Sequence, residues 1–542
     1  MTEQKNNTRN VLQPLIYALL IAIGLLLGRY ISLPLFNDSS FLNQPSGSNQ
    51  SRKLSDVLNY IKMEYVDTVN EARLVDGSIE KILEQLDPHS AFIPAEDLQR
   101  TNEPLEGNFE GIGIEFHIQQ DTVMVVSVIQ GGPSADVGLM PGDRIVKVDG
   151  KNFTGNEVSN NTVMKTLRGV GGSKVKVSVF RRNEGHLLDF TITRGKIPIN
   201  SIDASYMATV NTGYIRLSRF GATTFEEYLK AFNELRQQGM TQLILDLRGN
   251  PGGYMETAVA LSDEFLPEGK MIVYTKGRSR PRKEYKATTD GSFESGKIVL
   301  LIDEGSASSS EIVAGAMQDW DRATIIGRRS FGKGLVQEQV ELPDGSALRL
   351  TVSRYYTPSG RSIQKPYAGG YEEYQNELLV RYKHGELENA DSVKFADSLK
   401  YKTASGRTVY GGGGIMPDIF IPIDTSFRSS FYEEVLGSGL ITQFAYDYVD
   451  KNRTLLKSFN TVEDFDKGIS DQKVLSDFIT YAASNKIKGS QADVERCKAE
   501  LAIDLKAYVA RQIFRDNGFY KIYFKRDSTY LKAISLLNPT VK

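Results

Sequence analysis

Leu243-Ile244-Leu245-Asp246-Leu247, running directly into Arg248-Gly249-Asn250-Pro251-Gly252-Gly253, is the stretch that sets the fold of this chain. An apolar run this short, ended by turn residues, reads as a strand buried on both faces. The glycines that follow break it into a loop whose backbone can approach a ligand closely. Upstream, Tyr214-Ile215-Arg216-Leu217 reads as a strand, and 224–239 as an amphipathic helix carrying Phe225, Tyr228, Leu229, Phe232 and Leu235. Downstream, 254–265 reads as the next helix and 297–302 (Lys-Ile-Val-Leu-Leu-Ile) as a further buried strand. Strand, turn and helix in repetition predict an α/β core with its functional loops at strand ends.

That last strand leads into Ser306-Ala307-Ser308-Ser309-Ser310-Glu311. Ser308 to Glu311 fits a capping box, with Ile312, Val313, Ala316, Met317 and Trp320 as the apolar face behind it. Taken alone this is a helix start. What it offers chemistry is a set of free N–H groups and a positive dipole end, which favour an anion beside them. Further on, Gly327-Arg328-Arg329-Ser330-Phe331-Gly332-Lys333-Gly334 nearly spells a phosphate-binding loop, but Gly334 stands where the Ser or Thr is required. Lys333 to Gln337 reads instead as a turn into a strand, with Lys333 and Gln337 on one face. The chain has four histidines (His89, His117, His186, His384), none near either segment, and no G-x-S-x-G elbow. A serine hydrolase here would have to use lysine as its base. His89, just after Pro88, reads as a turn residue.

Residues 111–193 have a different texture. Strand-like runs at 123–129, 144–148, 174–180 and 187–193 are separated by Gly131-Gly132-Pro133, Met140-Pro141-Gly142-Asp143 and Asp149-Gly150. The segments GIGIEF (111–116), GGPSADVGLMPGDRIVKVDG (131–150) and LRGVGGSKVKVSVFR (167–181) resemble a PDZ domain. That resemblance implies capture of a peptide C-terminus by sheet-edge addition, through Gly111, Ile112, Gly113 and Ile114. Arg168, beside these glycines, is a candidate coupler of tail binding to the catalytic site, or a plain surface charge.

LDLRGNPGG (245–253), DEGSASSSEIVAGAMQD (303–319) and GRRSFGKGLVQ (327–337) resemble the core of the carboxy-terminal processing, or tail-specific, peptidases of serine family S41. The flanking YVD (65–67), LDPHSAFI (86–93), LTVSRYYTPSGRSIQ (350–364) and GIMPDI (414–419) are similar too, so the likeness spans roughly residues 55–424. It implies a multidomain α/β protein with a ClpP/crotonase-like protease core. By position in the motifs it also implies Ser308 as nucleophile, Lys333 as general base and Gln337 as its orienting partner. The backbone N–H groups of Gly253 and Ser309 would form the oxyanion hole. Ser309 stands where alanine is common in the family, which a backbone donor tolerates. The rival reading is a degenerate, non-catalytic scaffold whose PDZ domain tethers partners.

These segments divide the chain into a cytoplasmic tail (1–10), an apolar segment (11–36), a flexible linker (37–52) and an N-terminal helical region (53–100). The PDZ domain (101–196), the peptidase core (197–424, with an insertion at about 368–410) and a C-terminal helical extension (425–542) complete it. Residues 11–28 hold no charge and, with 31–36, are long enough to cross a bilayer as a signal anchor. The alternative is a cleaved signal peptide. Lys5 and Arg9 favour a cytoplasmic N-terminus, leaving the rest on the periplasmic side of an inner membrane. The insertion and extension are candidates for adaptor binding, self-association or walls of a substrate channel. Net charge of -2 gives no case for nucleic acid, and a single cysteine, Cys497, excludes a disulfide framework and a cysteine-rich metal site. No cofactor or metal is expected; the expected partners are protein substrates with apolar C-terminal tails.

Overall fold

The computed structural model describes residues 49–539 apart from 120, 130, 182, 183 and 290. The expected cytoplasmic tail, the anchor and most of the linker lie outside the described residues. Among the described residues, no helix is long and apolar enough to cross a membrane. Contacts divide the chain at Gly77. Before it lies a helix over Asn49–Glu64 and the start of another over Glu71–Glu84.

The second unit is built on a six-stranded sheet in the order Ile202–Met207, Thr212–Leu217, Gln242–Asp246, Lys297–Ile302, Thr324–Gly327, Ile419–Phe420. The first pair is antiparallel and every later pair parallel. Strand Gln242–Asp246 is buried at all five positions, as its unbroken apolar run demands. Helices Thr224–Gln237, Met255–Asp263 and Ser309–Asp319 cover one face through Tyr228, Phe232, Leu261, Val313 and Met317. The opposite face is covered from the far end of the chain. Phe524, Tyr530, Ala533 and Leu537 pack on Tyr214, Ile244, Val299 and Leu301. Residues 524–537 of the C-terminal extension are thus a layer of this sheet. Each large side chain so buried contributes about 1.5–3 kcal/mol.

A second sheet, in the order Ala91–Ile93, Ala347–Tyr356, Met271–Lys276, Lys283–Lys286, also pairs the long strand Ala347–Tyr356 with Leu335–Glu341. The PDZ-like stretch forms a separate sheet from Ile114–Gln119 to Leu187–Thr193 around Val123, Val125, Ile145, Val177 and Ile192. A two-stranded neck, Asn108–Gly111 against Gly195–Pro198, joins it to the rest. Residues 430–514 form helices around Phe444, Phe465, Phe478, Leu501 and Leu505, and Cys497 is buried among them. The insertion carries a helix over Tyr371–Lys383.

Candidate active site

Three loops converge at the carboxyl ends of three neighbouring parallel strands, where α/β sheets place their ligands. They are Gly249–Gly253 after strand Gln242–Asp246, Gly305–Ser308 after Lys297–Ile302, and Arg328–Gly334 after Thr324–Gly327.

Ser308 caps the helix Ser309–Asp319 with φ 51° and ψ -111°, a backbone region that non-glycine residues rarely occupy. Such a conformation costs about 1–3 kcal/mol and persists only where its surroundings enforce it. The enforcing group is Glu311. Its carboxylate is fully buried and accepts from the Ser308 N–H at 2.9 Å. The same carboxylate accepts from the Ser330 hydroxyl (2.5 Å) and from the N–H groups of Gly332 (2.7 Å) and Lys333 (2.9 Å). Burial pushes its pKa up to about 7, against the pull of these four donors. Tyr355 makes the matching link on the carbonyl side. Its hydroxyl lies 3.0 Å from the Ser308 carbonyl oxygen and also hydrogen-bonds the Lys333 carbonyl oxygen. One carboxylate and one phenol therefore bind the serine and lysine segments to each other.

Lys333 Nζ donates to Gln337 Oε1 at 2.9 Å. Burial, and next the Arg349 guanidinium, hold its pKa below the usual lysine value. Gln337 is oriented in turn, since its side-chain amide donates to the His89 carbonyl. The His89 ring meets the Tyr374 hydroxyl at 2.7 Å, and burial, then Lys333, lowers its pKa to about 4. His89 therefore stands neutral at pH 7 and serves the site through its backbone. It is held there by Asp87, whose Oδ1 accepts from the His89 N–H at 2.8 Å.

The glycine loop is fixed to the serine helix. Ser310 Oγ and the Ala307 N–H donate to the Asn250 carbonyl at 2.9 Å, and Ser309 Oγ donates to the Gly253 carbonyl at 2.9 Å. Ser309 and Ser310 are thus spent on packing. Gly253, at φ 148°, bridges to Phe220, whose N–H bonds the Gly252 carbonyl and whose carbonyl accepts from Tyr254. Among the described residues no oxygen accepts the Gly253 N–H. A Cβ on Gly253 would come within 2.0 Å of the Phe220 carbonyl oxygen, so the loop must shift to accommodate one. With the Gly253 N–H as the oxyanion donor that the resemblance implies, Gly253→Ala is expected to lower kcat/KM about 100-fold, the cost of one misplaced donor. Steady-state cleavage of a test protein measures it; a loss under threefold would contradict this role of the loop.

The PDZ-side candidates separate. Ile112, Gly113 and Ile114 lead into Ile114–Gln119, which stands at its sheet's edge, as a strand must to accept an added peptide. Gly111 instead belongs to the neck, paired with Gly195. Arg168 donates to the buried Glu103 and lies 4.3 Å over the Phe109 ring, so it ties the PDZ side to helix Ala95–Glu106.

Sequence reasoning missed Glu311 as more than a cap and His89 as more than a turn residue, and missed Tyr355 and the insertion helix altogether. Arg381 of that helix donates to the carbonyls of Arg329 (2.7 Å) and Ser330 (3.1 Å), just before the lysine turn. Lys365 lies 4.0 Å over both the Phe331 and Tyr374 rings. The insertion backs the lysine loop. Among the described residues, no cluster of metal-ligating side chains occurs.

Residues 211–370 match peptidase family S41, residues 111–193 match the PDZ domain, and residues 431–516 match a family of unknown function. The chain is 36% identical over 327 residues to a carboxy-terminal-processing protease of Bartonella bacilliformis, covering 59% of this chain and 74% of that one. It is 34% identical over 350 residues to the carboxy-terminal processing protease CtpA of Bacillus subtilis, covering 64% and 74%.

Proposed function

The chain belongs to the carboxy-terminal processing serine proteases of family S41, with a PDZ domain, and from that premise we propose a Ser308–Lys333 dyad fed by the PDZ domain. The observation that carries the reading is the shared support of the two residues by Glu311 and Tyr355. In the unprotonated state Lys333 Nζ takes the Ser308 hydroxyl proton as Oγ adds to the scissile carbonyl. The N–H groups of Gly253 and Ser309 receive the oxyanion. Collapse breaks the C–N bond, Lys333 returns the proton to the departing amine, and an ester on Ser308 remains. Water then attacks the ester with Lys333 again as base, releasing the acid and restoring the serine. Gln337 keeps the amine in line without adding charge.

Upstream of the chemistry, the edge strand Ile114–Gln119 would take an extended, apolar C-terminal tail, with Ile112 and Gly113 offering backbone N–H groups to its carboxylate. The cycle uses only groups of the chain itself and water, so it requires no ATP, cofactor or metal. We read the core as ClpP/crotonase-like and the apolar segment 11–36 as the device that carries residues 37–542 to the periplasmic face of an inner membrane.

The test is cleavage of a reporter protein ending in an apolar tail by the full-length chain. Wild type cleaves and Ser308→Ala does not; equal cleavage by both overturns the dyad. Replacing the reporter's apolar tail by an Asp-rich one is expected to lower kcat/KM about tenfold, the effect of losing one good recognition contact. Identical rates on both tails would remove tail capture from the reading and leave the dyad intact.

A further inference from the structure

The 33-residue helix Gln491–Tyr523 is broken at Arg515, whose φ of 58° and ψ of -155° lie far from helical values. Before the break the helix belongs to the C-terminal bundle, the part that matches a family of unknown function, and that match ends at residue 516. After it, the chain turns onto the peptidase sheet. Asn517 exchanges two hydrogen bonds with the backbone of Ser205, 2.9 and 3.0 Å, on the sheet's edge strand. Asn538 donates to Thr212 Oγ1 at 3.0 Å near the amino ends of the central strands. Between these two clamps, Asp527 reaches the carboxyl end of the sheet, where the glycine loop begins.

There Asp527 Oδ2 accepts from Arg248 Nη1 at 2.7 Å, with both side chains nearly buried. Arg248 also grips Asp246 through Nε (2.9 Å) and Nη2 (2.7 Å), and its guanidinium lies 5.4 Å over the Phe524 ring. Asp246 and Arg248 are tied to the neighbouring strand of their own sheet, since Asp246 accepts from the Tyr214 hydroxyl at 2.8 Å and the Arg248 carbonyl accepts from Arg216 at 3.0 Å. Asp527, 279 positions away, adds the tie to the C-terminal helices. Gly249 follows Arg248 directly, and Gly253 closes the loop.

We infer that Asp527 is a positioning residue for the Gly249–Gly253 loop, acting through Arg248, so that docking of the C-terminal helices sets the geometry of the oxyanion donor. The inference rests on Gly253 serving as that donor. Room for the coupling to work exists: a cavity of about 1590 Å³ borders the break at Arg515, the edge strand and PDZ residues 124–129. The bundle is thereby a part of the catalytic apparatus, joined to it by a hinge and a buried ion pair.

Asp527→Asn isolates this role. Asp527 Oδ1 caps the final helix by accepting from the Tyr530 N–H at 2.8 Å, and asparagine is as good a cap. Satisfying that cap turns the new NH₂ group toward Arg248 in place of the second carboxylate oxygen. The full-length variant is expected to lose about tenfold to 100-fold in kcat, as small displacements of a catalytic group do, with KM unchanged. Asp527→Glu recovers most of the loss. Amide hydrogen exchange of Gly249, Asn250 and Gly252, whose N–H groups are hydrogen-bonded, speeds up in Asp527→Asn at a temperature where the sheet's core amides remain protected. Exchange of that loop at the wild-type rate overturns the inference, whatever the activity. So does a kcat loss that Asp527→Glu does not recover. Failure of the dyad itself shows separately, as cleavage by Ser308→Ala.

Discussion

Alanine at Ser308 or at Lys333 is expected to abolish cleavage, by a factor on the order of 10⁴ or more, and for the proposed dyad, acting as one unit, the two losses are expected not to add. The pH profile carries the sharper test. At the ordinary lysine pKa of about 10.4, roughly one amine in 2,500 is neutral at pH 7. Burial and the Arg349 charge lower the Lys333 value, so more of the amine is ready as a base at neutral pH. A base works unprotonated, so kcat/KM rises with pH through the lowered pKa and levels above it. Arg349→Gln removes the second cause of the lowering and shifts the rising limb toward higher pH, with the plateau little changed. Arg349 contacts Gln339 and Asn102 side chains, so the substitution leaves the Lys333–Gln337 hydrogen bond in place. A limb that stays where it was in Arg349→Gln would mean that another group is titrating.

The divide between what was legible in the sequence and what was not follows sequence distance. Strands Arg144–Val148, Lys174–Phe180, Leu187–Thr193 and Lys297–Ile302 sit where the apolar runs and turn residues put them. Their signals are local: a period of two, or an unbroken buried run between glycines. The Lys333–Gln337 pair was also legible, because its partners lie only four positions apart, although Lys333 precedes the strand Leu335–Glu341 and that strand is irregular between Val336 and Gln337. Gln337 to His89 is a bond across 248 positions, and Arg248 to Asp527 one across 279. Nothing in a stretch of text marks such a partner. The insertion reads from sequence as a candidate for adaptor binding, self-association or a channel wall, yet its Tyr374 and Arg381 meet the lysine loop. A few buried side chains on an otherwise exposed helix leave little trace in its average composition. Gly111 shows a further long-range partner: its motif places it beside the peptide groove, and it also pairs with Gly195 in the neck, 84 positions on.

Glu311 gives the second large effect, and its origin is geometric. Each carboxylate oxygen accepts two hydrogen bonds, Oε1 from Ser330 and Gly332, Oε2 from Ser308 and Lys333. Glutamine has the same shape but one acceptor, so its NH₂ must face either the Ser308 and Lys333 N–H groups or the Gly332 N–H and the Ser330 hydroxyl, of which only the hydroxyl can turn away. At least one buried N–H donor loses its acceptor, at about 1–3 kcal/mol. The backbone must then move at Ser308 and Lys333 or at Gly332, and either movement disturbs the join between the serine and lysine segments. Glu311→Gln is therefore expected to lower kcat about 100-fold without touching substrate, with a fall in thermal stability. Stability also carries a sign. The unfolded glutamate titrates near 4.3 and the folded one near 7, so between these values the folded chain holds the extra proton. The contribution of this group is present in full below the unfolded value and is lost as pH rises toward about 7, by on the order of 3 kcal/mol. In the neutral state the Ser330 hydroxyl can turn to accept the carboxyl proton, so the network survives protonation. Denaturant midpoints of wild type and Glu311→Gln between pH 4 and 8 measure the slope. Wild type loses its advantage over the variant across that range, and two parallel curves would show that the buried carboxylate holds no proton there.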